Sequence, residues 1–326
     1  MLLSSLAERV YWFARYVERV ENTARIILVN NNLLMDTPRG ITLGWNPIVS
    51  ITGCEDLFYE YHQEATERNV LRFLIMDPHN PSCMINTIAY ARENLRTSRA
   101  IFPTEIWETL NDLHNYVKEN KTVALTRRGR FNFLRHVIDT CHIILGRLST
   151  TMSHDQSYEF VRLGRNIERA DMTTRVIDVR AENLLPKQTE DLKPFDDIQW
   201  KSVLDSLAAY LVYRRCVHVR VHGTEVLRFL LKDRHFPRTV LYCLTEIEQC
   251  LKSLPSHEEL LRISRKAQRL VKRADVEHLA NASLNKFIDK LQLVLMELNE
   301  HISTAYFQIH EDLAEPQPEN QLAKSA

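Results

Sequence analysis

The chain has 326 residues, enough for one large or two medium domains around a sizeable core. Lys plus Arg and Asp plus Glu both number 42, and this neutral balance excludes the basic footprint of a nucleic-acid or anionic-membrane binder. Only seven glycines are present, too few for the turns of a sandwich or barrel, so the composition predicts an all-α protein.

In chain order, a long helix is predicted over 5–35, opened by Ser5-x-x-Glu8 as a capping box, with apolar residues at 10, 13, 17, 20, 24 and 27. Glu8 and Arg9 interrupt its apolar start, which argues against a secretory signal, and no apolar run reaches membrane-spanning length. A cytoplasmic protein is therefore expected. After a Pro- and Gly-bearing loop at 36–47, helices are predicted near 47–62, 66–76, 82–100 and 104–121. A basic turn, Arg127-Arg128-Gly129-Arg130, precedes a helix to residue 152. Ser153-His154-Asp155-Gln156 then reads as a second capping box opening another long helix. A polar connector at 181–199 leads to helices near 200–220, 224–232, 238–253, 257–275 and 277–310, and the polar tail 312–326 is expected to be disordered. The cysteines at 54, 83, 141, 216, 243 and 250 lack any CxxC or framework spacing and read as reduced, mostly buried thiols.

The sequence also resembles itself. ARYVERVENTARIILV (14–29) lies over GRNIERADMTTRVIDV (164–179), placing Arg15 on Arg165, Glu18 on Glu168, Arg19 on Arg169, Glu21 on Asp171 and Arg25 on Arg175. VLRFLIMDPHNP (70–81) lies over VLRFLLKDRHFP (226–237), Trp45 falls near Trp200, and GRLSTT (146–151) resembles NEHISTA (299–305). Matches in the same order at nearly constant offset predict a duplication: repeats at 1–150 and 151–311, pseudo-twofold related, about five to six helices each, packed as one bundle.

On the first helix, positions 7, 11, 14, 18, 21, 25 and 28 share one stripe, apolar or small at its ends and charged at Glu18, Glu21 and Arg25. The duplicate stripe carries Gly164, Glu168, Asp171 and Arg175. Glu21–Arg25 and Asp171–Arg175 sit at i,i+4, acid first. Arg15, Arg19, Asn22, Arg165 and Arg169 flank the stripes. Two readings stand open. The charges pair between the halves and fix their register, or they line a cleft whose Arg forks bind an anionic or zwitterionic ligand. The register lock is preferred.

Other candidates are weaker. Asp77-x-His79 and Asp233-x-His235 read as inter-helix turns, and a ligand role for both His would require those turns to meet. His218 and His222 stand at i,i+4 on a predicted helix but lack a third ligand, so no metal is expected. There is no GxGxxG, P-loop or GxSxG, and hence no cofactor or catalytic residue to name.

YWFARYVERVENTAR (11–25), NPSCMINTIAYARENLRTSR (80–99), EIWETLNDL (105–113) and EFVRLGRNIERADMTTR (159–175) together resemble the alpha-E domain family, as do AAYLVYRRCVHVRV (208–221) and VLRFLLKDRHFPRTVLYCL. This is a bacterial all-helical domain of unknown function named for its Glu-Arg motif. That motif falls on Glu18-Arg19 and Glu168-Arg169, and Arg92, Glu93, Asn94 and Arg96 match a second family segment, with Leu95 where Ala is usual. The resemblance implies association with a circularly permuted ATP-grasp protein, often also with a transglutaminase-like cysteine protease, in making or modifying peptides. Three functions follow as expectations. One is a helical accessory protein that partners the ATP-grasp ligase and helps bind its peptide or amino-acid substrate. Another is an enzyme acting on an activated carboxyl or peptide in the central cleft, with Glu18 or Glu168 as base. The third is a plain scaffold.

Overall fold

The computed structural model describes residues 2–36, 44–182, 193–217, 220–281 and 283–308. Most of the predicted loop at 36–47, much of the 181–199 connector and all of the tail at 312–326 lie outside them. The described residues form fifteen α-helices and one 3-10 turn, with no strand.

Two long helices run against each other at the centre: α1 (Ser4–Asp36) and α8 (Gln156–Glu182). Around α1 stand α5 (Met84–Arg96) and α7 (Arg127–Thr151), and α6 (Thr104–Ala124) packs on both to close a four-helix ring. Around α8 stand α12 (Val240–Lys252) and α15 (Leu284–Tyr306), closed in the same way by α13 (Glu258–Arg273). On the first ring, α4 (Glu67–Met76) leans against α5 and α6; on the second, α11 (Gly223–Lys232) leans against α12 and α13. Two helices are exchanged across the centre. α2 (Asn46–Thr52) packs on α8, and α9 (Lys193–Ser206) packs on α1. Four shorter helices complete the set: α3 (Glu55–Tyr61), α10 (Tyr210–Val217), α14 (Val276–Asn281), and the 3-10 turn Arg99–Ile101 after α5.

The elements follow from ordinary local signals. In α13 the buried residues Leu260, Ile263, Ala267 and Val271 recur at helical spacing, leaving Arg262, Arg265, Lys266 and Arg269 in solvent. Thr66, Thr126 and Thr239 cap α4, α7 and α12 by accepting from the amides of Asn69, Gly129 and Tyr242. The buried apolar residues form one continuous cluster from Ala7 to Tyr306, so a single core runs through both rings.

Several local expectations are corrected. Asp155, not Ser153, caps α8: its Oδ1 accepts from Ser157 N at 2.8 Å. Ser5 lies inside α1, one residue past its start at Ser4. Arg127–Arg130 is not a turn but the first turn of α7, because Thr126 supplies the cap. Arg130 is only 1% exposed, bonded to Glu67 Oε1 at 2.6 Å and Asn31 Oδ1 at 2.7 Å. The segment 47–62 breaks at Gly53, whose φ of +69° ends α2. Part of the expected connector is helical, since α9 begins at Lys193. His222 is extended before α11 and so is not on the expected helix, and His218 lies outside the described residues.

The α1 and α8 backbones approach closely at Gly164. A Cβ there would lie 2.4 Å from the Tyr11 carbonyl oxygen, a clash with backbone that no side-chain rotation relieves. The alignment of Gly164 with Ala14 suggests that either small residue fits, but at 164 only glycine does. Gly164→Ala is expected to destabilise by about 1–3 kcal/mol through overpacking, against about 1 kcal/mol for Ala14→Gly through lost helix propensity alone. Urea unfolding of both variants checks the order.

Candidate functional site

The Glu-Arg pairs stand where α1 meets α8, and each reaches across to the other helix. Glu168 Oε2 accepts from Arg15 Nε at 2.8 Å. Arg19 takes both Glu168 oxygens, Nε to Oε1 at 2.6 Å and Nη2 to Oε2 at 3.0 Å. In the opposite direction, Arg169 Nε donates to Glu18 Oε1 at 2.7 Å. These three carboxylates are deeply placed: Glu18 and Glu21 are 0% exposed and Glu168 2%. The helical period that aligns Ala7, Tyr11 and Ala14 with Glu18 and Glu21 puts the charges in the same buried seam.

Residues from outside the two long helices complete the network. Arg238, just before the Thr239 cap of α12, donates from Nη2 to Glu21 Oε2 at 2.6 Å and from Nη1 to Asn22 Oδ1 at 2.7 Å. Its Nη1 also lies 3.3 Å from Glu18 Oε1, and its carbonyl accepts from Thr173 Oγ1 at 2.8 Å. On the other side, Asn299 of α15 accepts from Arg15 Nη1 and Tyr11 Oη, both at 2.6 Å. Arg25 pairs with Glu21, and His142 Nε2 of α7 is 3.4 Å from the same carboxylate. Arg175 Nε donates to Asp171 at 2.9 Å, as the i,i+4 spacing predicts.

The electrostatics show which partner wins. Burial alone would raise the Glu168 pKa, but Arg19 and then Arg15 outweigh it and hold the carboxyl down to about 2. Glu21 is also kept well below the usual carboxylate range, Arg238, the His142 hydrogen bond and Arg25 together exceeding the effect of burial. A carboxylate with both oxygens engaged by guanidinium donors has no affinity for a proton at neutral pH, so Glu168 is poorly suited to act as a base.

Eight of the sequence-derived site residues thus belong to two bonded clusters that together make up this centre: Arg15 and Arg19 with Glu168, and Glu18, Glu21, Asn22, Arg25 and Arg169, joined through Arg238. Asp171 and Arg175 pair with each other at its edge, where the field of Asp171 still reaches Arg15 and Arg19. Arg165 forms no hydrogen bond or ion pair with a described residue. The second family segment lies elsewhere. Arg92 donates to Asn111 Oδ1 at 2.8 Å and lies over Trp107, Glu93 pairs with Arg96 on the exposed face of α5, and the carbonyl of Asn94 accepts from Thr97. Reading the sequence overlooked Arg238, Asn299, Tyr11 and His142. The repeat match that ends at Pro237 stops one residue short of Arg238, whose aligned position is Ser82.

Neither His turn gathers a metal set. Asp77 Oδ1 accepts from His79 N at 3.0 Å and Asp233 Oδ1 from His235 N at 2.8 Å, the turn role expected of them. Among the described residues, no group of three or more His, Cys, Asp or Glu could hold a metal ion.

A family model described as a predicted alpha-helical domain with a conserved ER motif, Alpha-E, matches residues 2–307. The chain belongs to the Alpha-E family. It is similar to an uncharacterized protein of Mycobacterium bovis and to two of Mycobacterium tuberculosis, each 21% identical over 314 residues. The match covers 89% of this chain but only 34% of each relative, so the chain spans about a third of their length. No solved structure matches. Arg19 with Glu168 and Arg169 with Glu18 bridge α1 and α8, so both Glu-Arg pairs of this chain have a structural task in the fold.

Glu168→Gln removes the charge that two arginines share and is expected to lower unfolding free energy by about 3–5 kcal/mol, as when one partner of a buried pair is deleted. The pH response has a defined sign. Because the folded pKa of about 2 lies below the ordinary glutamate value of 4.5, the stability from Glu168 is fully present above 4.5 and is lost as pH falls toward 2. Wild-type melting temperature should drop more steeply than that of Glu168→Gln across that interval in parallel thermal scans.

Proposed function

We propose that this Alpha-E protein is a cytoplasmic helical accessory protein that partners an ATP-grasp ligase in peptide synthesis or modification. On this reading the paired Glu and Arg residues hold two duplicated halves in a fixed register, and the assembled bundle helps bind or present a peptide or amino-acid substrate. A transglutaminase-like protease is a second partner in the same proposal. The observation that carries the accessory role is the self-engagement of the centre. Glu168 is bonded to Arg15 and Arg19, so its charge is used to join helices and not to move protons. The matching contacts of the two rings support the duplication, with α5, α6 and α7 around α1 and α12, α13 and α15 around α8. That the mycobacterial relatives are some three times longer than the matched segment supports a unit that works beside other protein modules. No helix among the described residues is long and apolar enough to cross a membrane.

The test is isolation of the tagged chain from its host, with and without ATP, and identification of co-eluting proteins by mass spectrometry. An ATP-grasp protein at near-stoichiometric yield is expected, retained by Glu168→Gln at a temperature where that variant is folded. Its absence under both conditions overturns the partnership. Loss of pathway product in a folded, partner-bound Glu168→Gln would favour the enzyme reading instead.

A further inference from the structure

Arg15 and Arg165 hold matching places in the two halves, yet only one is paired. Arg15 donates to Glu168 and Asn299. Arg165 makes no hydrogen bond or ion pair with a described residue, and its Nε is buried. The two sides also differ at Arg238. Its aligned position in the first half is Ser82, so nothing from that loop competes for Glu168, which Arg15 and Arg19 share. On the other side Arg238 and Arg169 both approach Glu18 Oε1, at 3.3 and 2.7 Å, and Glu18 Oε2 is left without a hydrogen-bond partner.

The result is a local excess of positive charge. Arginine does not shed its proton in a protein, so a part-buried guanidinium that forms no ion pair favours an anion from outside. Arg169 stands beside it with only its Nε engaged, by Glu18, and its side chain is 13% exposed. Glu18, which attracts Arg165 without pairing with it, and Tyr158 of α8 and Tyr242 of α12 are the other ionisable neighbours acting on it. Burial, and then the repulsion of Arg169, push the Arg165 pKa below its ordinary value, the direction expected of a cation short of counter-charge.

We propose that Arg165 and Arg169 form an anion-binding site on the α12-facing side of α8, and that it takes a single carboxylate group, the end of a small acid or a peptide. A planar carboxylate matches the guanidinium fork. A phosphate dianion would set a second negative charge near the uncommitted oxygen of Glu18, without the glycine-rich loop of backbone amides that usually cradles phosphate. The site deepens the substrate-presenting role proposed above but needs no ligase, so the purified chain alone can test it.

Thermal melting is followed in sodium acetate or sodium phosphate, with ionic strength held constant by sodium chloride. Wild type, Arg165→Met, Arg165→Lys and, as an outside control, Arg92→Met are compared. Acetate at ten times its dissociation constant is expected to raise the wild-type and Arg92→Met melting temperatures by about 2–4 °C. Arg165→Met should lose the response and Arg165→Lys, which keeps charge without the fork, should weaken it several-fold. If the Met variant does not fold, the wild-type Arg165 Nε–Hε resonance decides, and it should shift saturably with acetate. No melting shift with either anion, an equal shift in Arg165→Met, or an unmoved Nε–Hε resonance overturns the site. A larger effect of phosphate than of acetate at equal concentration overturns the carboxylate assignment.

Discussion

Charges placed in a buried seam must be matched when the seam closes, and this requirement organises the whole molecule. Glu168 is reached from α1 by Arg15 and Arg19, while Glu18 is reached from α8 by Arg169. Sliding one helix by a turn would strand at least one carboxylate and two guanidiniums away from water, a penalty of several kcal/mol per unpaired ion. Apolar packing along α1 and α8 could tolerate small shifts; the ion pairs cannot. The pairs therefore define register more than they add stability, which suits a contact whose apolar ends supply the cohesion.

That register sets the approach of the rest. Gly164 permits the backbones to close at Tyr11, and across the same contact the long Arg and Glu side chains stand within direct hydrogen-bond reach. The exchange of α2 onto α8 and α9 onto α1 then clamps the seam from both sides, so neither ring could leave without exposing apolar surface belonging to the other. Arg130 shows the same rule outside the centre. As a fully buried cation in the first turn of α7, it is matched by Glu67, Asn31 and the carbonyls of Ala124 and Leu125.

The all-helical class, the two long helices and the buried charged stripe were legible because helical periodicity is a local property that scarce glycine leaves uninterrupted. Thr126 as the cap of α7 was legible in principle but was masked by the basic run after it, which resembles a loop in composition alone. Arg238 was not legible. It lies on no amphipathic helix face, its partner Glu21 is 217 positions away, and the position aligned with it is a serine. Asn299 escaped for the same reason, since a polar residue on an otherwise apolar helix declares its partner only after α15 is folded against α1.

The choice between a lock and a pocket was framed as a choice for the whole centre, and the geometry divides it. On the Glu168 side both carboxylate oxygens are taken by Arg15 and Arg19, an arrangement with no bonding capacity left over. On the Glu18 side Arg238 joins Arg169 at one carboxylate oxygen, and Arg165 forms no ion pair with a described residue. If rigidity were the sole requirement, this arrangement would be a liability, because one guanidinium is unpaired and one carboxylate half engaged. An apolar residue at position 165 would relieve that strain at once. The retention of a cation there is what separates the two sides: one carboxylate closed by its own arginines, the other left with an arginine able to receive a carboxylate from outside.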